Sequence, residues 1–484
     1  MSNVLAKLEP QGLWKHFEEL TRIPRCSKHE PAVAQYVIGV ARRLKLEHRQ
    51  DKAGNIVIRK PAAKGRSKAP GTVLQGHLDM VCEKNEGTKH NFAMDPIRIR
   101  RDGDRITADG TTLGADNGIG VAAALAVMES AAIAHGPLEF LFTVDEETGL
   151  TGAFDLAGDM LTGRRMLNMD SEEEGAVYIG CAGGLTSTAS KKVSRVAPGE
   201  GKKAYRLKVT GLKGGHSGLE IHLPRGNAIK LLARLLWTFA AGYEMEVAVL
   251  QGGSKHNAIP REATAVFYLD PKRLPALKKD MKQMTQVLRS EMGSADPGVE
   301  ILVESVPQSP GQVINPFDLR AVVNFLYCAP QGVLAMSPDI PGLVQSSTNV
   351  AVLDTRNDVV VVTMSHRSAV ESSKRDIGNM VASYCEAHHF AMEQGSGYPG
   401  WQPNVKSPLL AEAKKVHQKL FGAEPAVKAI HAGLECGIIG EKFPGMDTIS
   451  FGPTITGAHS PDEAVSITSV ANFWKFLVGL LETA

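Results

Sequence analysis

The chain has 484 residues, 43% hydrophobic and 22% charged, enough for about two to four domains with ordinary globular composition. Its 54 Lys and Arg against 52 Asp and Glu leave a formal charge of +2, which gives no basis for a nucleic-acid or acidic-membrane partner. The opening MSNVLAKLEPQGLWKHFEEL carries charges and Pro10 where a signal peptide needs an apolar core, and no later apolar run is long enough to span a bilayer. The expected location is the cytoplasm.

Cys26, Cys82, Cys181, Cys328, Cys385 and Cys436 are scattered without a C-x-x-C pair. The reading is neither a disulfide framework nor a Cys-ligated zinc site, but mostly buried thiols.

In chain order, an amphipathic helix is expected around 13–20. Ser27 and Glu30 have capping-box spacing for a second helix over 30–44. An alternating strand at 55–60 and a Pro/Gly-rich loop lead into TVLQGHLD, 72–79. If this run is a strand, His77 and Asp79 share a face. In TTLGADNGIGVAAALAVM, 111–128, Asp116 stands before an Ala-rich helix, so an N-cap role is open to it. A phosphate loop is disfavoured there, because the P-loop Lys is missing and an acid would repel phosphate. LEFLFTVDEETG, 138–149, reads as a buried strand ending in three acids, either a solvated turn or a cation site. RRMLNMDSEEEG, 164–175, repeats the design and ends at Asp170.

From about 189 the pattern becomes mixed and partly antiparallel. Strands at 205–209, 246–250 and 298–306 accompany helices at 227–240 and 277–292. His216 lies in a glycine-rich turn, GGHSG, and Asn257 in HNAIP. A similar order recurs over 320–394, which suggests a duplicated subdomain. From 395 the first style returns, with a helix at 409–420, strands at 427–430 and 447–451, and His459 in GPTITGAHSPDE. The expected architecture is an α/β catalytic domain with a mixed sheet flanked by helices (1–188 and 397–484), split by an inserted α+β lid domain (189–396).

Strand ends therefore present His77, Asp116, Glu146 with Glu147, and Asp170, and one further loop presents His459. Ligands of open α/β sheets gather at the carboxyl ends of strands. Two imidazoles and several carboxylates suit Zn²⁺, with Mn²⁺ or Co²⁺ possible. So many carboxylates repel one another unless more than one cation sits among them, and two metals about 3.5–4 Å apart would resolve this.

The set GHLDMV, GTTLGADNGIG, DEETG, NMDSEEEG, GLKGGHSG, NAIPRE, HAGLECG and GPTITGAHSPDE resembles the two-zinc exopeptidase family of carboxypeptidases, aminoacylases and dipeptidases. Within it the motifs are most similar to those of the bacterial aminoacyl-histidine dipeptidases. The resemblance implies metal-dependent hydrolysis of Xaa-His dipeptides by a metal-bridging hydroxide. The alternatives are an N-acyl amino acid deacylase or a broader aminopeptidase. It implies two divalent metals per chain, Asp116 bridging, His77 and Asp170 on one metal, and Glu147 and His459 on the other. Glu146 would be the general base, Asp79 would orient His77, and His216 would hydrogen-bond the oxyanion. Asn257, Arg367, Gly433 and Glu435 would contact substrate. A cis peptide is expected after the bridging residue, at Asp116-Asn117. The partner implied is a small dipeptide substrate, with the protein a monomer or homodimer.

Overall fold

The computed structural model describes residues 4–308 and 310–483. It divides into two compact units, one running to Cys181 with Trp401–Ala429 and Leu434–Ala484, the other Ala182–Gly400 with Ile430–Gly433. The second unit thus spans the expected 189–396 insertion and adds seven residues before it, four after it and a short return segment.

The first unit is built on an eight-stranded sheet. Its order is Glu47–Gln50, Ile56–Lys60, Leu138–Thr143, Thr72–His77, Arg165–Asn168, Asp447–Ser450, Ala176–Cys181, Ala426–Ile430. The central strands are parallel: Thr72–His77 lies between Leu138–Thr143 and Arg165–Asn168, and Asp447–Ser450 continues beside the latter. Both Thr72–His77 and Leu138–Thr143 are buried at every position, as a parallel sheet covered on both faces requires. Parallel pairing also sets the carboxyl ends of these strands side by side.

The helix Ala115–Glu129 is apolar almost all round, and 13 of its residues are buried. It packs on Thr72–His77, and Gly76 permits the approach, since a Cβ there would collide with the Asn117 side chain. The Asn117 amide then donates to the Met169 carbonyl at 2.7 Å, fixing the helix start against the chain leading to Asp170.

The second unit holds a nine-stranded sheet in the order Glu300–Ser305, Lys203–Thr210, Ala263–Leu269, Glu246–Gly252, Val344–Arg356, Val359–Ser368, Gly183–Lys192, Ala391–Gln394, with Gly332–Met336 paired to Val344–Arg356. It consists of two βαββαβ subdomains of the same topology. In one, Lys203–Thr210, Glu246–Gly252, Ala263–Leu269 and Glu300–Ser305 alternate with helices Ala228–Tyr243 and Leu274–Met292. In the other, Gly183–Lys192, Val344–Arg356, Val359–Ser368 and Ala391–Gln394 alternate with helices Pro316–Cys328 and Glu371–Ala387. The first is inserted after the opening strand of the second, and they join edge to edge where Gln251 and Gly252 face Asp354 and Leu353.

One expectation is corrected. Cys26 and Cys82 form a disulfide across a sequence separation of 56, although no motif pairs them. Of the other four, Cys181, Cys385 and Cys436 are buried thiols and Cys328 is exposed.

Candidate metal centre

The first unit gathers His77, Asp79, Glu146, Glu147 and Asp170 at or just after the carboxyl ends of its parallel strands, whereas Asp116, expected at a strand end, comes from the first turn of the helix Ala115–Glu129, and His459 from the loop between the antiparallel strands Ile455–Thr456 and Ala464–Ser466. The two oxygens of Asp116 serve different imidazoles: Oδ1 lies 3.1 Å from His77 Nε2 and Oδ2 lies 3.1 Å from His459 Nε2. His77 Nε2 is also 3.2 Å from Asp170 Oδ1, and His459 Nε2 is 3.0 Å from Glu147 Oε2. Two triads therefore share one carboxylate, His77–Asp116–Asp170 and Asp116–Glu147–His459, the ligand atoms of each within 4.8 Å of one another. Glu146 forms a third such group with His77 and Glu147. The peptide Asp116-Asn117 is cis.

The donor set fits two divalent cations. Glu147 Oε1 is buried with no hydrogen-bond partner among the described residues, a costly state unless a cation takes it up. Burial lowers the affinity of His77 for a proton, but Asp170, Asp116 and Asp79 outweigh it and hold its pKa well above the usual value. Hydrogen bonds to Asp116 and Glu147 push His459 up to about 11. Each imidazole turns one ring nitrogen toward two carboxylates, a place that a proton holds in the metal-free chain and that a divalent cation would compete for.

Burial drives the Glu146 carboxyl well above its ordinary range, with the charges of Asp170, Glu435 and Glu147 adding to it and His77 opposing. A carboxylate so raised is a better proton acceptor than an exposed one. Burial alone would raise Asp79 too, but His77, the Ser27 hydroxyl and the Glu146 amide bring it well below the carboxylate range. Its Oδ1 lies 3.4 Å from His77 Nδ1, an ion-pair contact too loose to satisfy that nitrogen.

Asp79 has a second task that spacing did not suggest. It accepts the backbone N–H of Glu146 at 3.1 Å and of Glu147 at 3.2 Å, and the Ser27 hydroxyl at 2.7 Å. The expected capping box does not form: the Ser27 hydroxyl goes to Asp79, while the Glu30 carboxylate accepts the amides of Lys28 and Asp145, both at 2.9 Å. Nor does Asp116 cap its own helix. Gly114 occupies that position, and the capping carboxylate comes from Glu463.

Glu435, expected to contact substrate, has no exposed surface. It accepts Gln75 Nε2 at 2.6 Å and the Thr143 hydroxyl at 2.7 Å, and burial with the charges of Asp170 and Asp79, opposed by His77, raises it to about 7. It braces the strands beneath the site instead of lining an open pocket.

His216, Asn257, Arg367 and Gly433 belong to the second unit. Residues Gly215 and His216 pair with Ala258 and Ile259, and the Ser217 amide donates to the Asn257 carbonyl, which places Asn257 beside the His216 turn. His216 Nδ1 accepts the amides of Gly218 and Leu219 at 3.2 and 3.0 Å. Nδ1 is therefore unprotonated and Nε2 carries the hydrogen. Burial and the nearby Arg367 charge lower this imidazole to about 4, so it is a neutral donor at working pH. A Cβ at Gly218 would meet His216, Arg367 and the His431 carbonyl together, so only glycine lets these three close up. Arg367 donates to the Tyr398 hydroxyl at 2.9 Å, and Gly433 lies against the Tyr398 ring. His431, in the HAGLECG motif and read from sequence as chiefly structural, is buried and bonded to the Ser347 hydroxyl at 2.7 Å and joins the cluster.

The model for peptidase family M20/M25/M40 matches residues 73–483, and the chain belongs to that family. It is 41% identical over 478 residues to the cytosol non-specific dipeptidase of Escherichia coli (strain K12), covering 99% of this chain and 98% of that one. The crystal structure of aminoacylhistidine dipeptidase from Vibrio alginolyticus superposes with a TM-score of 0.91 at 42% identity, over 99% and 98% of the two chains. The aminopeptidase PepT of Bacillus cereus shares the fold, with a TM-score of 0.57 at 16% identity over 98% of each chain.

Proposed function

We propose that this chain is a two-metal dipeptidase that hydrolyses dipeptides, aminoacyl-histidine substrates among them, and that it works in the cytoplasm. The observation that carries the reading is the division of Asp116 between two imidazoles at 3.1 Å each, supported by nearly full-length relatives that are dipeptidases by name. No helix among the described residues is long and apolar enough to cross a membrane.

In this reading His77 and Asp170 hold one cation, Glu147 and His459 hold the other, and Asp116 is shared. Two divalent cations, zinc by preference for this N/O donor set, would supply a water of lowered pKa and polarise the scissile carbonyl. Glu146 takes the proton from the attacking water and returns it to the leaving amine. Asp79 fixes the Glu146 and Glu147 amides, so base and ligand keep their separation. The Nε2–H of His216 is the donor for the developing oxyanion, and Arg367 and Asn257 receive the substrate's polar ends.

Activity toward Ala-His, Gly-Gly and N-acetyl amino acids, assayed before and after chelation, tests the assignment. Cleavage of the dipeptides, lost on chelation and restored by metal, is expected. Cleavage of the N-acetyl compounds alone would make the chain a deacylase instead. Glu146→Gln should abolish turnover with two metals still bound, and near-normal activity in that variant would remove Glu146 from its role.

A further inference from the structure

Glu463 lies four residues after His459 and is almost completely buried. Its carboxylate takes four consecutive backbone hydrogens: Leu113 N–H at 2.7 Å and Gly114 N–H at 2.9 Å on Oε2, Ala115 N–H at 2.7 Å and Asp116 N–H at 3.2 Å on Oε1. The turn that delivers Asp116 therefore has its amides pinned by a side chain about 350 residues away. On its other side the turn is held by Arg25, also buried, which donates to the Gly114 carbonyl and to the carbonyls of Leu78 and Asp79 at 3.0 and 2.9 Å.

The loop between Ile455–Thr456 and Ala464–Ser466 presents both His459 and Glu463. His459 has φ 63, a left-handed conformation that a non-glycine residue keeps only when its surroundings hold it. The loop closes on itself through Ser460 N–H to Gly457 O and Glu463 N–H to Ser460 O, both 3.1 Å, and is anchored at its far end by the Glu463 carboxylate. A single short loop thus supplies one imidazole to Asp116 Oδ2 and fixes the main chain of Asp116 itself.

We propose that Glu463 is a positioning residue that registers the His459 loop against the Asp116 turn, so that the shared carboxylate turns one oxygen to each imidazole and could hold both metals. The proposal rests on the reading of Asp116 as the bridging ligand. An ordinary helix cap would stabilise the fold and leave the metals indifferent. A registering carboxylate controls how the second metal is held. A glutamine at 463 keeps the size but turns an N–H₂ group toward two of the four amides, while an aspartate keeps the charge and is one methylene too short.

The test compares wild type, Glu463→Gln and Glu463→Asp as full chains. Metal content is measured by elemental analysis, zinc affinity by competition with a chromophoric chelator, and geometry by the visible absorption of the cobalt-loaded protein. Circular dichroism and thermal unfolding of the metal-free forms report on folding. We expect metal-free Glu463→Gln to stay folded while the weaker-bound zinc loosens at least tenfold, the cobalt bands shift, and kcat falls more than KM changes. Glu463→Asp should lie between it and wild type. If Glu463→Gln does not fold, Glu463→Asp carries the test through the same affinity and spectrum. Wild-type affinity and an unaltered cobalt spectrum in the folded variants would overturn the proposal. Wild type that fails to take up two metals would remove the Asp116 reading instead, which separates the two failures.

Discussion

Two amide hydrogens decide what His216 can do. Because Gly218 and Leu219 both donate into Nδ1, the remaining ring nitrogen is fixed as a donor, and a pKa of about 4 keeps it so through the neutral range. Replacing His216 by Ala should lower kcat by about 10²–10³ with little change in KM, the loss expected for one oxyanion donor. Between pH 5 and 8 the wild-type rate should show no limb belonging to His216. A steady-state comparison of the two proteins over that range checks both points. His77 and Asp170, at strand ends, and Asp116, at the head of an Ala-rich helix, stand out in sequence because residue type and the apolar run beside each announce them. Arg25, Ser27 and Glu463 act through backbone amides, carbonyls or another carboxylate tens to hundreds of residues away. Arg25 carries no local sign, Ser27 carries the misleading one of capping-box spacing with Glu30, and Glu463 only its place four residues after His459.

Among the elements, Val359–Ser368 carries His366, which is buried in the middle of the sheet. The imidazole joins three strands: Nδ1 lies 2.8 Å from the Thr348 hydroxyl and Nε2 2.9 Å from the Ser187 hydroxyl. Burial lowers its pKa to about 4 from an ordinary 6.5. Between those values the unfolded chain binds a proton that the folded chain does not. Its contribution is therefore fully present above pH 6.5 and is lost as pH falls toward 4, a change on the order of 3 kcal/mol. Urea unfolding of wild type and His366→Gln at pH 4.5 and 7.5 should show a smaller pH effect in the variant, and equal effects would contradict this account. The strand beside it, Gly183–Lys192, was not legible in the sequence. GGLTSTASKK alternates by burial but, apart from Leu185 and the closing lysines, is built of Gly, Ser, Thr and Ala, so it offers no apolar period to read. The helices and the apolar strands around it were legible because their patterns are local.

At the scale of the whole molecule, the Cys26–Cys82 disulfide ties the opening segment to the turn after Asp79. A closed loop of 56 residues removes chain entropy from the unfolded state worth roughly 4 kcal/mol. The reducing cytoplasm proposed above would hold this pair as thiols, so the gain belongs to the oxidised protein, in which reduction, or Cys82→Ser, should lower the melting temperature by several degrees, read by calorimetry with and without reductant. No spacing rule could have paired these cysteines, since only the folded arrangement of Arg25 and Met80 brings them together. The nesting of the chain has a further consequence, in time instead of space. The subdomain from Lys203–Thr210 to Glu300–Ser305 is complete once residue 305 has been made. Its sister must keep Gly183–Lys192 waiting until Val359–Ser368 emerges. The first unit waits longer still, because the strand beside Arg165–Asn168 is Asp447–Ser450. Assembly on the ribosome should close from the inside outward, like brackets. The last bracket carries His459 and Glu463, so the growing chain cannot complete the cluster around Asp116 until residue 463 has been made.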